Sequence, residues 1–277
     1  MQTPIFKPQT EWIPPTDFPD LGKYDEIAID LETKDPNLNE RMGSGSVVGV
    51  GDVVGISLAT ADWCAYYPIA HEGGGNMDRK MVLKWLQDQM NYESTKIFHN
   101  AMYDICWLRA IGINVKGKIV DTMIASSLVD ENRFRYDLNG VSRDYIGKGK
   151  DENALYEAAK SWGVDPKAEM YKLPAMYVGA YAERDAQLTY ELWQELKKEI
   201  LHQDIESIFN METELFPVLV DMRFLGVRVN QEQAAIEKRT LVEEEKRMLG
   251  EVLTSTGIDV QIWAARSISK VFDKLGL

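Results

Sequence analysis

Asp30-Leu31-Glu32 closes an apolar run, Ile27-Ala28-Ile29. In an extended strand, residues two apart project to the same face, so both carboxylates can converge on one hard divalent cation, which favours oxygen ligands. The triplet alone is weak evidence, because Asp204-Ile205-Glu206 repeats it in a helical stretch where the two side chains diverge. Two more spacings change the balance. Asn100-Ala101-Met102-Tyr103-Asp104 follows a strand-like segment and opens a helix, which puts Asp104 at the rim of a sheet. Tyr181-Ala182-Glu183-Arg184-Asp185 sets a phenol and a carboxylate four residues apart, on one face of a helix. Neither N-x3-D nor Y-x3-D occurs elsewhere in the chain. Singly, each has an ordinary structural reading: a solvated strand end, a turn asparagine, a first-turn aspartate favoured by the helix dipole, a core tyrosine. In this order and on these elements, they form a pattern.

Other chemistry is disfavoured by spacing. His71, His99 and His202 share no metal-ligand spacing, and His71-Glu72 runs into Gly73-Gly74-Gly75 instead of an H-E-x-x-H helix. His99 reads as a structural residue. Cys64 and Cys106 lie far apart with no C-x-x-C, which points to reduced thiols in a cytoplasmic protein. The run at 43–51, G-S-G-S-V-V-G-V-G, lacks G-x-G-x-x-G and a following helix, so a glycine-rich turn is expected in place of a dinucleotide site.

The elements that must position the carboxylates follow from periodicity. Pro4, Pro8, Pro14, Pro15 and Pro19 predict an extended arm over residues 1–22, since proline lacks the N–H that a helix or a central strand uses. Residues 27–31 read as a buried strand, 47–59 as a second β region and 63–69 as a third, completing an antiparallel meander. From Asp78 the period becomes helical, followed by a strand at 96–99, a helix at 102–110, a strand at 118–121 and a helix at 123–129. Strands alternating with helices after an antiparallel start predict a mixed α/β sheet. Beyond Arg135 the signal is helical, with one long helix over 177–201. A further helix runs through Ile205, Ile208, Glu212, Leu215, Leu219 and Met222 to a stop at Gly226. Asn230 is a candidate N-cap for a charged helix over 231–253. A soft boundary is expected near residue 205.

Composition sets bounds on the function. The chain has 277 residues, 45% hydrophobic and 27% charged, which fits one large globular domain or slightly more and excludes wholesale disorder. No apolar run approaches the roughly 18 residues of a membrane helix, and the N-terminus lacks a basic start with an apolar core, so neither a membrane span nor a secretory signal is expected. Net charge is 31 − 44 = −13. Proteins that neutralise many phosphates along a duplex are usually basic. Any nucleic-acid contact here is therefore expected to be short, with bound cations supplying part of the positive charge.

Asp30-x-Glu32, Asn100-x3-Asp104 and Tyr181-x3-Asp185 together resemble the three motifs of the proofreading 3′→5′ exonucleases of the DEDD superfamily, tyrosine variant. Val120-Asp121-Thr122 and the stretch 125–130 are similar to that family's segment between its second and third motifs. Glu214-Leu215-Phe216-Pro217-Val218-Leu219, with Met222, Gly226, Val227 and Val229, resembles the opening of the polymerase domain of family A DNA polymerases of the bacterial polymerase I and phage type. Residues 267–277 resemble the segment shortly after it. Arg266-x3-Lys270 is a decoy for that family's nucleotide-binding R-x3-K helix, since no Tyr-Gly follows. The palm motifs are absent, so no polymerase activity is expected of this chain, which reads as an excised piece or a natural split gene product.

The resemblance implies a ribonuclease-H-like mixed sheet flanked by helices, with a helical C-terminal extension. It divides the chain into an arm (1–22), an exonuclease domain (23–205) and the start of a polymerase domain (206–277). It implies two Mg²⁺ or Mn²⁺ ions: Asp30, Glu32 and Asp185 on the first, Asp30 and Asp104 on the second, with Tyr181 orienting the attacking water, aided by Glu32. The substrate would be a single-stranded DNA 3′ end of a few nucleotides, the partner a polymerase domain or subunit, and the place of action the cytoplasm of a bacterium or phage-infected host. Leu31, Thr33, Asn100 and Tyr103 are candidate nucleotide contacts and Lys172 a candidate phosphate contact. Trp107 is better read as core. Three rivals stand beside this reading: an exoribonuclease of the ribonuclease D kind, sharing the tyrosine motif; a catalytically silent module that binds DNA ends; and a generic metal-binding α/β protein, which would leave the three ordered motifs unexplained.

Overall fold

A computed structural model of the chain describes residues 10–38 and 44–277. Among them five strands form one sheet: β1 (Glu26–Lys34), β2 (Asp52–Ala59), β3 (Cys64–Pro68), β4 (Thr95–Phe98) and β5 (Ile119–Asp121), in the order β3-β2-β1-β4-β5. β1 pairs antiparallel with β2 and β2 with β3, whereas β1–β4 and β4–β5 are parallel. This is the mixed sheet expected from the residue pattern: a meander, then two parallel strands reached by crossovers.

Strand alternation sorts β1 between two cores. Ile27, Ile29 and Leu31 face one apolar cluster, shared with helices α2 (Arg79–Met90) and α3 (Ala101–Ala110). Ala28 faces the other, shared with α4 (Thr122–Val129), α5 (Leu138–Ile146) and α7 (Gly179–His202). Asp30 and Glu32 continue the Ala28 register and so share its side of the sheet. α7 buries Ala182, Asp185, Ala186, Leu188, Thr189, Leu192, Leu196 and Ile200, a stripe at three-to-four spacing that meets β1, β2 and β3. Small side chains at Ala28, Ala59 and Ala186 let this helix approach the sheet closely. Asp185 therefore lies on the core-facing stripe of α7.

Three local outcomes differ from the sequence pattern. Val47 and Val48 are not strand but lie in a short helical turn, α1 (Gly45–Val48), capped by the Ser44 side chain and stopped by Gly49 in the left-handed region (φ 74°). Local capping outweighs β propensity there, and β2 begins only at Asp52. The segment between α5 and α7 is broken into α6 (Asn153–Trp162) and two short 3₁₀ turns, Met170–Lys172 and Ala175–Tyr177. Finally, α8 (Glu206–Leu225), placed by the sequence beyond a soft boundary near 205, puts Phe216 and Val220 into the same core cluster as α3.

Residues 1–9 of the arm lie outside the described residues. From residue 10 the arm is irregular and strapped to the body: Phe18 stacks on Tyr67 at 5.6 Å, Leu21 is buried, and Pro19 O accepts a hydrogen bond from Trp85 Nε1.

The chain divides into two compact units, Met1–Leu225 and Gly226–Leu277. The second holds α9 (Gln231–Thr256) and α10 (Ala265–Leu275). Asn230 caps α9, its Oδ1 accepting from Gln233 N–H at 3.0 Å. No helix of the described residues is long and apolar enough to cross a membrane.

Candidate active site

The site lies where the sheet order reverses. From β1 the chain's sheet grows toward β2 on one side and β4 on the other, and the crevice beyond the carboxyl ends of such strands is where open α/β sheets hold ligands. β4 pairs with β1 only from Glu26 to Ala28, so the last part of β1 has no partner on that edge. Asp104, in the first turn of α3, fills the opening: its Oδ1 accepts the Leu31 N–H at 3.1 Å. A register shift between Glu32 and Thr33 re-aims the side chains at the rim, a common use of bulges beside functional sites.

The β4–α3 junction that presents Asp104 is itself held. Asn100 is left-handed (φ 71°), a conformation asparagine tolerates better than most residues. Asp121, at the end of β5, accepts from the backbone N–H groups of Asn100, Ala101 and Met123. One carboxylate thus caps α4 and locks the turn before α3.

Asp30, Glu32, Asp104 and Asp185 form a mutually repelling group. Burial, reinforced by the charge of Asp185, pushes the Asp30 carboxyl up to about 7. Burial first and Asp30 second push Glu32 and Asp104 well above the usual carboxylate range. Asp185 is also raised by burial, though Lys150 beside it works the other way. Lys150 projects from the loop between α5 and α6, and its ammonium donates to Asp185 Oδ2 and, at 3.2 Å, to Tyr181 Oη. Burial alone would lower its pKa; the charges of Asp185, Asp30 and Glu32 raise it overall. Tyr181 is pushed well above its ordinary value, by burial foremost and then by the neighbouring carboxylates, so its phenol keeps its proton at neutral pH.

The donor set suits a hard divalent ion: all oxygen, several carboxylates, and Asp185 Oδ1 buried without a hydrogen-bond partner. Among the described residues, no three acidic, histidine or cysteine side chains are gathered tightly enough to hold a metal as they stand. The residues fit in chemistry and neighbourhood, with Lys150 as the cation among them.

A family model for 3′-5′ exonucleases matches residues 18–201, which contain every one of these side chains. The chain belongs to the 3′-5′ exonuclease family of the family A DNA polymerases. A DNA-directed DNA polymerase of Pseudomonas phage M6 is 32% identical over 100% of this chain and 43% of its own length. DNA polymerase DpoZ of Acinetobacter phage SH-Ab 15497 is 27% identical over 92% of this chain and 40% of its own. The chain thus spans less than half the length of these relatives. Among solved structures, the POL domain of Pol1 from M. smegmatis, in complex with DNA primer-template and dNTP, superposes with TM-score 0.62 (13% identity, 92% of this chain, 38% of that one). NrnC of Brucella melitensis with bound Mg²⁺ gives 0.52 (18% identity, 75% and 90%), and Escherichia coli RNase D gives 0.50 (16%, 75% and 47%). These likenesses establish the ribonuclease-H-like fold of the exonuclease, and the family is metal-dependent.

The remaining candidate residues of the exonuclease lie in distinct settings. Thr33 and Tyr103 meet at the end of β1, their hydroxyls 2.6 Å apart, with Asp35 accepting from Tyr103 Oη at 3.3 Å. Leu31 packs its side chain into the core and offers the site its backbone, while Trp107 is buried. Asn100 is exposed at the junction. Lys172 stands apart from the carboxylates, ion-paired with Glu169 and near the ring of Tyr171. His99 bridges Thr122 Oγ1 and Tyr136 O, and His71 Nε2 meets Tyr66 Oη at 2.7 Å, both in structural settings.

Lys150 went unnoticed in the sequence, as did Glu183. The latter, inside the Tyr181–Asp185 motif, accepts from Trp12 Nε1 at 2.9 Å and Tyr66 N–H at 3.1 Å, tying arm, β3 and α7 together.

Proposed function

We propose that this exonuclease removes nucleoside monophosphates from single-stranded DNA 3′ ends as the proofreading part of a DNA polymerase, acting in the cytoplasm of a bacterium or phage-infected host. The observation that carries the reading is the meeting of Asp30, Glu32, Asp104 and Asp185 in one electrostatic neighbourhood at the sheet's switch point, with Tyr181 beside Asp185.

Asp30, Glu32 and Asp185 would hold one divalent ion, and Asp30 and Asp104 a second. Such a pair, Mg²⁺ or Mn²⁺, supplies an activated water and charge neutralisation at the leaving 3′ oxygen. The chain's own residues supply the rest. Tyr181 Oη, protonated at neutral pH, hydrogen-bonds the attacking water and fixes its line of approach, with Glu32 as second partner. Thr33 and Tyr103 would flank the terminal nucleotide, with Leu31 and Asn100 at the edges of that position. Lys172 would reach a phosphate upstream only after leaving Glu169. Short contacts that depend on stacking and a local groove need no broad basic face, which accords with the net charge of −13. On this reading residues 23–205 are the catalytic domain and 206–277 the start of the polymerase domain.

The test is one gel: 5′-labelled single-stranded DNA and matching RNA, each with Mg²⁺, Mn²⁺ or EDTA, beside an Asp30→Ala/Glu32→Ala variant. A metal-dependent ladder shortening from the 3′ end of DNA, absent in the variant, is expected. Preference for RNA would favour a ribonuclease D-like role, to which the RNase D fold likeness also points. No cleavage of either would leave a silent end-binding module.

A further inference from the structure

The carboxylate site contains a cation of its own. The Lys150 ammonium touches Asp185 and Tyr181, lies 5.2 Å from the centre of the Tyr181 ring, and feels Asp30 and Glu32. Its side chain is 17% exposed and that of Asp185 4%, so the pair is largely withdrawn from water. The loop backbone that carries it is anchored: Lys150 N–H donates to Asn139 Oδ1 at 3.0 Å, and Gly149 O accepts from Arg184 Nε. Beyond Cβ the side chain is a flexible four-carbon stem whose hydrogen bonds are those of its ammonium, to Asp185 and Tyr181. The ammonium can therefore leave the site without moving the loop.

Resting on the proposed metal-dependent reading, we propose that Lys150 is the resident counter-cation of this site, neutralising Asp185 until a divalent ion displaces it, so that its charge sets the metal concentration at which the exonuclease becomes loaded. Two observations and one general argument converge on this. Among the described residues, no three acidic, histidine or cysteine side chains are grouped so as to hold a metal as they stand. One oxygen of Asp185 is taken by Lys150 while the other, buried, has no partner. And a monovalent ammonium with three donors competes poorly against a divalent ion that several carboxylates can share. Loading is then an exchange of cations, and the released ammonium stays within a side chain's length of Tyr181.

The experiment is a Mn²⁺ titration of the full chain followed by the electron paramagnetic resonance of free Mn²⁺, on wild type, Lys150→Met, Lys150→Arg and Asp30→Ala/Glu32→Ala. Removing a competing unit charge from a partly screened site should lower the Mn²⁺ Kd about tenfold in Lys150→Met, while Lys150→Arg stays near wild type and the double carboxylate variant loses the site. Unchanged or weaker binding in Lys150→Met, with wild-type binding still dependent on Asp30 and Glu32, would overturn the counter-cation and leave the metal site standing. Absence of carboxylate-dependent binding in both wild type and Lys150→Met would overturn the metal reading itself.

A second measurement needs no variant. Acylation of Lys150 in wild type by an amine reagent, followed by mass spectrometry, should speed up several-fold when Mn²⁺ is added, because the ammonium is expelled from its ion pair. Equal or slower labelling would overturn the displacement.

Discussion

The two units of the chain hold their helices in different ways. In Met1–Leu225, α7 is fixed by a stripe of wholly buried side chains, among them Leu188, Leu192 and Leu196. In Gly226–Leu277, α9 exposes Leu241 by 62%, Met248 by 48% and Leu253 by 46%, and only Thr256 of that helix is buried. Its order comes from the Asn230 cap, the Gly257 stop and i,i+4 pairs such as Arg247–Glu251. A precise carboxylate site can be built only on the first kind of helix. A cap is worth about 0.5–2 kcal/mol and an exposed ion pair about 1 kcal/mol or less, whereas each buried leucine contributes about 1.5–3 kcal/mol and α7 buries several. Asp185 sits within the buried stripe, so the packing that stabilises α7 also aims the carboxylate.

The largest expected effect tests whether site and core are separable within the first unit. Asp30→Ala with Glu32→Ala should reduce hydrolysis by at least about a thousandfold, since each group's share of charge stabilisation is roughly a hundredfold or more. The far-ultraviolet circular dichroism should stay unchanged and the metal-free melting temperature should not fall, because two half-buried, mutually repelling carboxylates have been removed. Wild-type turnover in this variant would dissolve the assignment.

Next is a matched pair across the units. Leu192→Ala in α7 should cost about 2–5 kcal/mol in denaturant unfolding, and Leu241→Ala in α9 within about 0.5 kcal/mol. Comparable losses would mean that α9 has a core of its own.

Tyr181→Phe should slow turnover about tenfold to a hundredfold, the worth of one hydrogen bond to a charged or reacting group, with Mn²⁺ affinity retained. Lost metal binding would assign Tyr181 to holding the site together.

A smaller and graded effect comes from pH. Asp30 titrates near 7 in the folded, metal-free chain and near 4 when unfolded, so between about pH 4 and about pH 7 the native state binds the extra proton. Stability in EDTA should therefore decline as pH rises through that window; the carboxyls of Glu32 and Asp104, also raised by burial and by Asp30, contribute with the same sign. Saturating Mn²⁺ should flatten the slope. A melting temperature that rises with pH in EDTA would contradict the mutually repelling cluster.

What was legible in the residues follows the same division. Strand alternation put Asp30 and Glu32 on one face, and helical spacing joined Tyr181 to Asp185, because regular elements convert spacing into direction. The mixed sheet followed from the order of those elements. Lys150 was not legible: its loop has no period, and its ammonium meets Asp185 across 35 positions of chain. The helical turn at Gly45–Val48 was hidden because valines signal a strand while Ser44 and Gly49 decide the outcome through caps. The pattern of α8 showed which face is apolar but not that Phe216 and Val220 join the core beside α3.

The smallest effect probes the second unit where it is held most locally. Asn230→Ala removes the side-chain oxygen that accepts the Gln233 N–H, which should cost α9 about 0.5–2 kcal/mol. Because few buried contacts back that cap, the loss should appear as faster amide exchange in the first turns of α9, residues 231–238, and fade along the helix. Turnover on single-stranded DNA should be unaffected, since the carboxylates are positioned by β1, α3 and α7 within the other unit. Slower turnover with this variant would mean that α9 supports the catalytic unit, and the contrast between the two would have to be redrawn as dependence.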